Sequence, residues 1–247
     1  MKYYDLGIYS SLSDGQDEPE IMIEMAIELG FAGIGLADFT NHTPKIIKGF
    51  RNKYKERCPI FTRATLAPKT TDEMKKWVKN LRNQVDIIAI KSGIEDKTIY
   101  VNAIVDKRID IISLSEIADF ESLEYAHFKM ARNNGKLIEI VVRNLILQSG
   151  VQRSKLLRQM IKTCTQIIRS KVPFLISSGA QSKWEMRAPR ELVALASLVK
   201  IPEKRAFEAV STHAEKLIQK IHMIRDPNYI MAGVRIVSPT EEGENGD

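Results

Sequence analysis

The sequence has few cysteines and no long hydrophobic run. Cys58 and Cys164 lie far apart and form no Cys-x-x-Cys motif, which argues against a zinc ribbon or a disulfide framework and favours a reducing compartment. The N-terminus MKYYDLGIYS lacks the apolar core of a signal peptide. No apolar run approaches the roughly 18 residues of a membrane-spanning helix. We therefore expect a cytoplasmic protein without a membrane segment.

The motifs of common nucleotide-binding and hydrolytic enzymes are also absent. There is no Walker A loop, and Gly30, Gly33 and Gly35 are wrongly spaced for a dinucleotide-binding turn. No Gly-x-Ser-x-Gly nucleophile elbow occurs. The four histidines are scattered, with no pair at i, i+2 or i, i+4, whereas a dinuclear metal hydrolase needs several converging histidine and carboxylate ligands. The sequence predicts neither a bound metal nor a cofactor.

The charges of this 247-residue chain are segregated along the sequence. Its formal net charge is +6, with 44% hydrophobic and 28% charged residues, which is a globular composition. Residues 3–44 contain eight acids and no lysine or arginine, residues 140–184 contain eight bases and no acid, and residues 45–57 contain six bases. Two interpretations stay open: solvated helix faces, or a surface with an acidic sector and a basic sector that binds RNA or DNA.

Seven short apolar runs alternate with helical patterns. Most of the runs lack polar alternation, as expected of strands buried on both faces of a parallel sheet. The runs are 3–9, 32–38, 60–66, 86–90, 110–114, 137–142 and 172–177. Helices are predicted over 19–29, 43–57, 97–107, 121–133, 152–170, 188–199 and 212–224, and a further one begins with the capping box of Thr70 and Glu73.

A strand and a helix repeating about every 27 residues is typical of a (β/α)₈ barrel. A doubly wound open sheet uses the same units but usually has fewer strands at this length. Residues 234–237 are the candidate for an eighth strand. We predict an α/β fold: a single TIM-like (β/α) barrel domain over residues 1–237, followed by a disordered acidic C-terminal tail over residues 238–247.

Cations and hydroxyl groups follow the predicted strands. Sites of such barrels lie at the C-terminal ends of the strands, and phosphate is often bound by the loops after strands seven and eight. Backbone N–H groups, hydroxyls and cations suit phosphate oxygens, although a polar turn explains the Ser-Ser-Gly sequence equally well. The predicted phosphate-binding residues are Arg63, Lys91, Arg143, Ser177, Ser178, Gly179, Lys183, Arg187 and Arg190.

Only three acids near the predicted strand ends are candidates for a catalytic role. Asp5, Asp38 and Glu116 come after strands one, two and five, and such carboxylates bind magnesium through water. A nuclease that cleaves RNA by itself, with magnesium bound by these acids, therefore stays open as an alternative. Because no nucleophile has an adjacent base, we predict no catalytic residue in this chain.

The N-terminal sequence resembles the polymerase-and-histidinol-phosphatase barrel superfamily. The similarity lies in residues 5–10 (DLGIYS) and 13–15 (SDG). In that superfamily the first strand carries a His-x-His metal pair, which corresponds here to Gly7 and Tyr9. Its second-strand Thr-Asp-His motif corresponds to Ala37, Asp38 and Phe39. The resemblance implies a barrel that keeps the frame and replaces the metal ligands.

Three further segments resemble one branch of that superfamily, the ribonuclease P protein component 3 family of archaea and eukaryotes. They are residues 173–180 (PFLISSGA), 186–190 (MRAPR) and 209–212 (AVST), and the similarity spans about residues 1–237. It implies a subunit that assists a catalytic RNA in removing 5′ leaders from precursor tRNA and is inactive alone. The implied partners are ribonuclease P RNA, other protein subunits and precursor tRNA, with magnesium needed only by the RNA.

The resemblance also implies RNA contacts from the predicted phosphate-binding residues and from the basic helices over 45–57 and 153–169. Two alternatives stay open. One is a metal-dependent phosphoesterase of the histidinol-phosphatase-like superfamily, and the other is a non-catalytic scaffold protein.

Overall fold

The computed structural model describes residues 1–38, 44–91, 98–226, 228–231 and 234–235. Seven parallel strands follow one another in chain order around a nearly closed barrel, each hydrogen-bonded to the next. This confirms the predicted TIM-like α/β barrel. The strands are β1 (Tyr4–Ile8), β2 (Gly33–Leu36), β3 (Ile60–Leu66), β4 (Ile87–Lys91), β5 (Ile111–Leu114), β6 (Leu137–Val141) and β7 (Phe174–Ser177).

Helices connect the strands and cover the outside of the barrel. None of the helices in the described ranges combines the length and the apolar character of a membrane span. The helices are α1 (Pro19–Glu28), α2 (Pro44–Tyr54), α3 (Thr71–Leu81), α4 (Thr98–Val105), α5 (Ile117–Ser122), α6 (Tyr125–Asn133), α7 (Arg143–Leu147), α8 (Gly150–Ser170), a 3₁₀ helix (Lys183–Glu185), α9 (Pro189–Leu198), α10 (Glu203–Val210) and α11 (Thr212–Arg225).

The segment predicted as one helix over residues 121–133 is instead two helices, α5 and α6. Leu123 between them is extended, with φ −109° and ψ 137°, and this conformation interrupts the helical hydrogen bonds. The helix predicted over 43–57 begins at Pro44 in the structure, and residues 39–43 lie outside the described residues.

The prediction of residues 234–237 as an eighth barrel strand is wrong. Val234–Arg235 (β9) pairs antiparallel with Tyr229–Met231 (β8) in a separate two-stranded sheet, and residues 236–247, including the predicted tail, lie outside the described residues. The barrel has no space for a further strand, because β1 and β7 are already within hydrogen-bonding reach. The Asp5 carboxylate accepts the Ser178 N–H at 3.1 Å, and the Tyr9 N–H donates to the Ala180 carbonyl at 2.9 Å.

The strands are buried on both faces, which explains their nearly continuous apolar sequences. In β4, for example, Ile88 and Ile90 pack in the outer core beneath the helices, whereas Ile87 and Ala89 point into the barrel. Successive strand residues point to opposite faces of the sheet, so each apolar run serves two separate cores.

Helix α11 closes the N-terminal end of the barrel. Its apolar residues Ala214, Leu217, Ile218 and Ile221 pack with the inward-facing side chains that begin the strands. Ion pairs hold the same helix at the rim, where Arg225 contacts Asp86 at 2.6 Å and Lys220 contacts Asp110 at 3.5 Å. The opposite, C-terminal end of the barrel stays open and contains the candidate site.

Candidate nucleic-acid interface

A buried ion pair fills the barrel interior above the apolar layer. The Arg63 guanidinium donates two hydrogen bonds of 2.6 Å to the Glu139 carboxylate, one to each oxygen. It also donates to the Leu6 carbonyl at 2.7 Å and to the Thr65 hydroxyl at 2.9 Å. The side chains of Arg63 and Glu139 are 1% and 0% exposed, so no solvent reaches the pair.

The surroundings of this pair keep both groups charged. Hydroxyl groups of Ser113 and Ser177 donate to the Glu139 carboxylate at 2.6 Å each. Burial alone raises the pKa of Glu139, but the Arg63 charge and these hydrogen bonds outweigh it and hold the pKa below its usual value. Glu139 was not identified from the sequence, although a lone acid inside the apolar run 137–142 is a signal of a buried, paired charge.

The Arg63–Glu139 pair depends on glycine at position 7. A Cβ atom on Gly7 would lie 3.0 Å from the Glu139 carboxylate and 3.1 Å from the Arg63 guanidinium. A histidine at this position therefore cannot coexist with the pair. The residues do not fit the superfamily's metal, because a guanidinium cation occupies the space beside Gly7, and Gly7 itself offers no donor. Phe39 lies outside the described residues.

Asp5 and Asp38 bind neighbouring groups within the chain. Asp38 accepts hydrogen bonds from the Ser10 N–H at 2.7 Å, the Ser10 hydroxyl at 2.6 Å and the Ser13 hydroxyl at 2.6 Å. Burial raises the pKa of Asp5, and its carboxylate joins β1 to Ser178. The described residues contain no group of three or more histidine, cysteine or acidic side chains able to hold a metal ion. The arrangement therefore gives no support to the independent nuclease.

Three of the predicted phosphate-binding residues are used inside the barrel. Arg63 cannot contact RNA in this conformation, since Glu139, Leu6 and Thr65 take its donors. The hydroxyl of Ser177 donates to Glu139, and the hydroxyl of Ser178 accepts the Ala180 N–H at 3.1 Å. Both serines are buried, which fits the polar-turn alternative, and their contact with phosphate stays a prediction.

Three others meet in one cleft at the open end of the barrel. Lys91, Arg143 and Gly179 line a cavity of about 100 Å³ together with Glu116 and Asn144. The Arg143 guanidinium forms a two-fold hydrogen-bonded pair with the carboxylate of Glu185, at 2.7 and 2.9 Å. Lys91 forms no ion pair with any residue of the described part of the chain. Among the cations that the structure describes around this cleft, Lys91 has no acidic partner and is available to an anion.

Lys183, Arg187 and Arg190 follow the cleft on the segment after β7. The Lys183 ammonium lies 4.8 Å from the centre of the Trp184 ring. Arg187 donates to the carbonyl oxygens of Trp184 and Met186 at 2.9 and 2.7 Å. Arg190 is exposed near the start of α9. These three cations lie outside the barrel and are accessible to a ligand.

The basic segment 45–57 neutralises acids of this same chain. Lys53 pairs with Glu20 of α1, Arg57 pairs with Glu24 at 2.9 Å, and Arg51 pairs with Asp86 at 3.1 Å. The acidic stretch 3–44 and this basic segment therefore meet each other. Half of the bases predicted to contact RNA in this segment are already paired.

Helix α8 carries a row of cations that have no acidic partner among the described residues. Lys155, Arg158 and Lys162 are exposed and form no ion pair with the residues that the structure describes. Arg169 continues the same side of the helix and lies 5.6 Å from the centre of the Tyr125 ring. The opposite side, with Leu156, Met160, Cys164 and Ile167, belongs to the core. We call the four cations Lys155, Arg158, Lys162 and Arg169 the α8 basic face.

The α8 basic face suits a phosphate backbone in length and in charge. Its spacing of three, four and seven residues places the cations on one side of the helix, and at 1.5 Å per residue they span about 21 Å. The helix contains no acid, so no carboxylate interrupts the row. Such a row binds polyanions through electrostatic contacts that carry no sequence information.

The chain is similar to known proteins over nearly its whole length. The chain is 30% identical over 238 residues to ribonuclease P protein component 3 of Methanococcoides burtonii, covering 96% of this chain and 95% of the relative. It is 26% identical to the protein of the same name from Methanosarcina acetivorans, covering 99% and 98%. Both chains are matched over nearly their entire length.

Solved structures share the fold. A chain in a cryo-EM structure of archaeal ribonuclease P with mature tRNA superposes with a TM-score of 0.78 at 20% identity, covering 96% of this chain and 99% of that chain. Histidinol phosphate phosphatase of Lactococcus lactis superposes with a TM-score of 0.58 at 14% identity, covering 81% and 93%. The second likeness shows the barrel frame that the N-terminal sequence indicated.

The family model of RNase P subunit p30 matches residues 2–225. The matched range contains every strand of the barrel, the buried Arg63–Glu139 pair, the cleft, the α8 basic face and helix α11. With the whole barrel inside the match and relatives aligned from end to end, this chain belongs to the RNase P subunit p30 family.

Proposed function

We propose that this chain is the barrel subunit of ribonuclease P and binds RNA phosphates through the α8 basic face. The observation that supports this most directly is the row of exposed, unpaired cations on α8. Its partners are ribonuclease P RNA, other protein subunits of the enzyme, and precursor tRNA through the complex. The subunit supplies positive charge close to the RNA and leaves sequence recognition to its partners.

The catalytic RNA performs the cleavage in this proposal. Phosphodiester cleavage needs an activated nucleophile and a stabiliser of the developing charge. Asp5 and Asp38 are buried and hydrogen-bonded, and Glu116 accepts a hydrogen bond from Asn144 at 2.7 Å. Asp5 and Asp38 therefore serve the fold, and in this proposal magnesium belongs to the RNA and the chain uses no cofactor of its own.

Further phosphate contacts come from the accessible cations near the open end of the barrel. Lys91 in the cleft, and Lys183, Arg187 and Arg190 beyond it, stay predicted RNA contacts. Arg143 contributes by fixing Glu185, and its Nη1 keeps N–H donors that Glu185 does not use. The cleft, with a volume of about 100 Å³, is large enough for a phosphate group.

The proposal includes a cytoplasmic location, where ribonuclease P meets its precursor tRNA. Cys58 and Cys164 support it, because both are free thiols within the core. Burial raises the pKa of Cys58 to about 11 and that of Cys164 to about 12. Neither thiol is placed to form a disulfide on the surface.

The test is a cleavage assay on a precursor tRNA at limiting magnesium. It compares this protein alone, the cognate catalytic RNA with the other subunits but without it, and the complete mixture. We expect no cleavage by the protein alone and a gain in rate only in the complete mixture. Site-specific 5′ cleavage by the purified protein contradicts the proposal and makes Asp5, Asp38 and Glu116 the first residues to test.

A non-catalytic scaffold with no RNA contact predicts a different result in the same assay. Such a protein restores activity equally well when the α8 basic face is neutralised, because only its protein contacts matter. An RNA-binding subunit restores less activity as salt rises, since phosphate contacts weaken with ionic strength.

A further inference from the structure

The Trp184 side chain is exposed on the surface and does not belong to the core of the barrel. It is 76% exposed, compared with 40% for Tyr125. Large aromatic side chains usually bury most of their area, so an exposed tryptophan on an ordered surface suggests a binding role. Within residues 178–190, all of which the structure describes, no other large hydrophobic side chain is exposed.

The backbone beneath Trp184 is held rigidly on both sides. On one side the Lys183 N–H donates to the Asp17 carboxylate at 2.7 Å. On the other, the Glu185 carboxylate accepts the Gln181 N–H at 2.8 Å and pairs with Arg143. The indole ring therefore projects from a turn whose backbone is already ordered, so that binding of a ligand costs little backbone conformational entropy.

One cation lies over the Trp184 ring, and a second is bound to the backbone beside it. The Lys183 ammonium lies 4.8 Å from its centre, and the Arg187 guanidinium is fixed to the Trp184 carbonyl at 2.9 Å. Of the acids in direct contact with this segment, Glu185 is paired with Arg143, whereas Asp17 accepts the Lys183 backbone N–H and has no cationic partner among the described residues. An exposed aromatic ring with two cations close by matches a nucleotide, whose base stacks on the free side of the ring while its phosphates meet the positive charge.

A protein partner fits the surface less well. Binding hot spots for proteins contain an aromatic anchor within a packed patch that excludes water. Trp184 has no exposed apolar neighbour in its own segment, and Arg187 beside it is polar. The observations therefore favour an RNA base over a protein side chain.

We propose that Trp184, flanked by Lys183 and Arg187, is a stacking platform for one unpaired RNA nucleotide. This inference rests on the proposed function and names a contact that the α8 basic face cannot supply. The α8 basic face binds backbone only, whereas an unpaired base needs an aromatic surface. The platform would thus select single-stranded RNA over a duplex.

The test uses the full chain with Trp77→Phe, which leaves Trp184 as the single tryptophan. Tryptophan fluorescence is recorded during titration with a short oligoadenylate and with a blunt duplex RNA of equal phosphate number. We expect the single strand to quench Trp184 strongly and the duplex to quench it weakly. Equal quenching by both RNAs overturns the proposal, because phosphate contacts alone would then explain binding.

Variants at position 184 separate stacking from apolar contact. Stacking contributes about 1–3 kcal/mol per base, so Trp184→Ala should weaken oligoadenylate binding by at least about fivefold. Trp184→Phe should recover part of the affinity and Trp184→Leu should not. Leu198→Ala, at a residue that is 54% exposed elsewhere on the surface, is the matched control and should bind like the parent.

Two outcomes overturn the platform. One is parental affinity in Trp184→Ala, and the other is recovery by Trp184→Leu as good as that by Trp184→Phe. A loss of binding to another protein subunit, with RNA affinity unchanged, assigns Trp184 to a protein contact and also overturns it. Because position 184 is exposed, unfolding does not confuse these results, and circular dichroism checks it.

The source of the nucleotide is decided in the reconstituted enzyme. Substrates with a 5′ leader, leaderless tRNA and the catalytic RNA alone are compared for the effect of Trp184→Ala on binding. An effect on the leader-containing substrate only assigns the base to the leader, and an effect with the catalytic RNA alone assigns it to that RNA. If Trp184→Ala has no effect in any arm while the complete mixture still requires this chain, the platform fails and the proposed function stands.

Discussion

Neutralising the α8 basic face should weaken RNA binding by an amount that depends on salt. The triple variant Lys155→Ala, Arg158→Ala and Lys162→Ala removes three exposed cations that have no acidic partner among the described residues. Each phosphate contact contributes roughly 0.7 to 0.9 to the slope of log affinity against log salt, so the variant should lose roughly 2 to 3 units of slope. Between about 50 and about 200 mM salt, the affinity gap between parent and variant should then shrink by roughly 20- to 40-fold.

The assay measures equilibrium binding to the catalytic RNA over that salt range. The control is Lys75→Ala, Lys76→Ala and Lys79→Ala on α3, which removes the same charge from exposed positions. Helix α3 packs against α4 and β3, whereas α8 packs against α5, α6 and α7. The control should retain nearly the parental slope, because its cations lie on a different part of the barrel.

Two results refute this reasoning. If both triple variants lose affinity and slope equally, net charge and not the α8 basic face governs binding. If the α8 variant keeps the parental slope, its cations do not contact phosphates at all. Cleavage of precursor tRNA by the reconstituted enzyme, measured at the same salt concentrations, should follow the binding result.

Other predictions concern the interior. Glu139→Gln leaves the Arg63 charge buried and unpaired, and should lower the free energy of unfolding by about 3–5 kcal/mol in urea denaturation; a loss below about 1 kcal/mol contradicts the pair's role. The pKa of Glu139 is lowered in the fold, so the difference in free energy of unfolding between the parent and this variant should depend on pH. The difference should be full above the unfolded pKa of about 4.3 and should decline as pH falls through the folded pKa. A difference that grows toward acid pH would contradict this prediction. Gly7→Ala inserts a Cβ 3.0 Å from Glu139 and should cost about 1–3 kcal/mol, measured by the same denaturation. Because burial raises the pKa values of Cys58 and Cys164 to about 11 and about 12, a thiol reagent at about pH 8 should label them only after unfolding; rapid labelling of the native protein would disprove their burial.

The sequence predicted the barrel well because its signals are local. Strand β5, predicted over 110–114, is Ile111–Leu114 in the structure, and β3 has its predicted bounds, Ile60–Leu66. A parallel strand buried on both faces needs a short apolar run, and such a run is visible without knowledge of its neighbours. The segment wrongly predicted as the eighth strand is apolar too. Whether it can join the barrel depends on the distance between β1 and β7, and a local sequence pattern does not contain that distance.

The candidate site was predicted less well because it depends on partners far apart in sequence. Arg63 is a cation near a strand end, and only the fold shows that Glu139, 76 residues away, neutralises it. In the same way, Lys53 and Arg57 became ion pairs with acids of α1. The α8 cations were predictable as a group because nothing near them in the sequence is acidic. That they have no acidic partner among the described residues became visible only in the structure.

The position of α11 has a consequence for synthesis of the chain on the ribosome. The inward-facing residues that begin the strands, from Tyr4 to Leu175, share one apolar core with α11, whose residues are among the last of the barrel to be made. Until residue 225 has emerged, the nascent strands expose that layer to water, and the Asp86 carboxylate lacks Arg225. Strand β1 therefore stays uncovered at its start until residue 225 has emerged. Folding of the barrel is expected to include a late step that a stalled nascent chain ending before α11 cannot make.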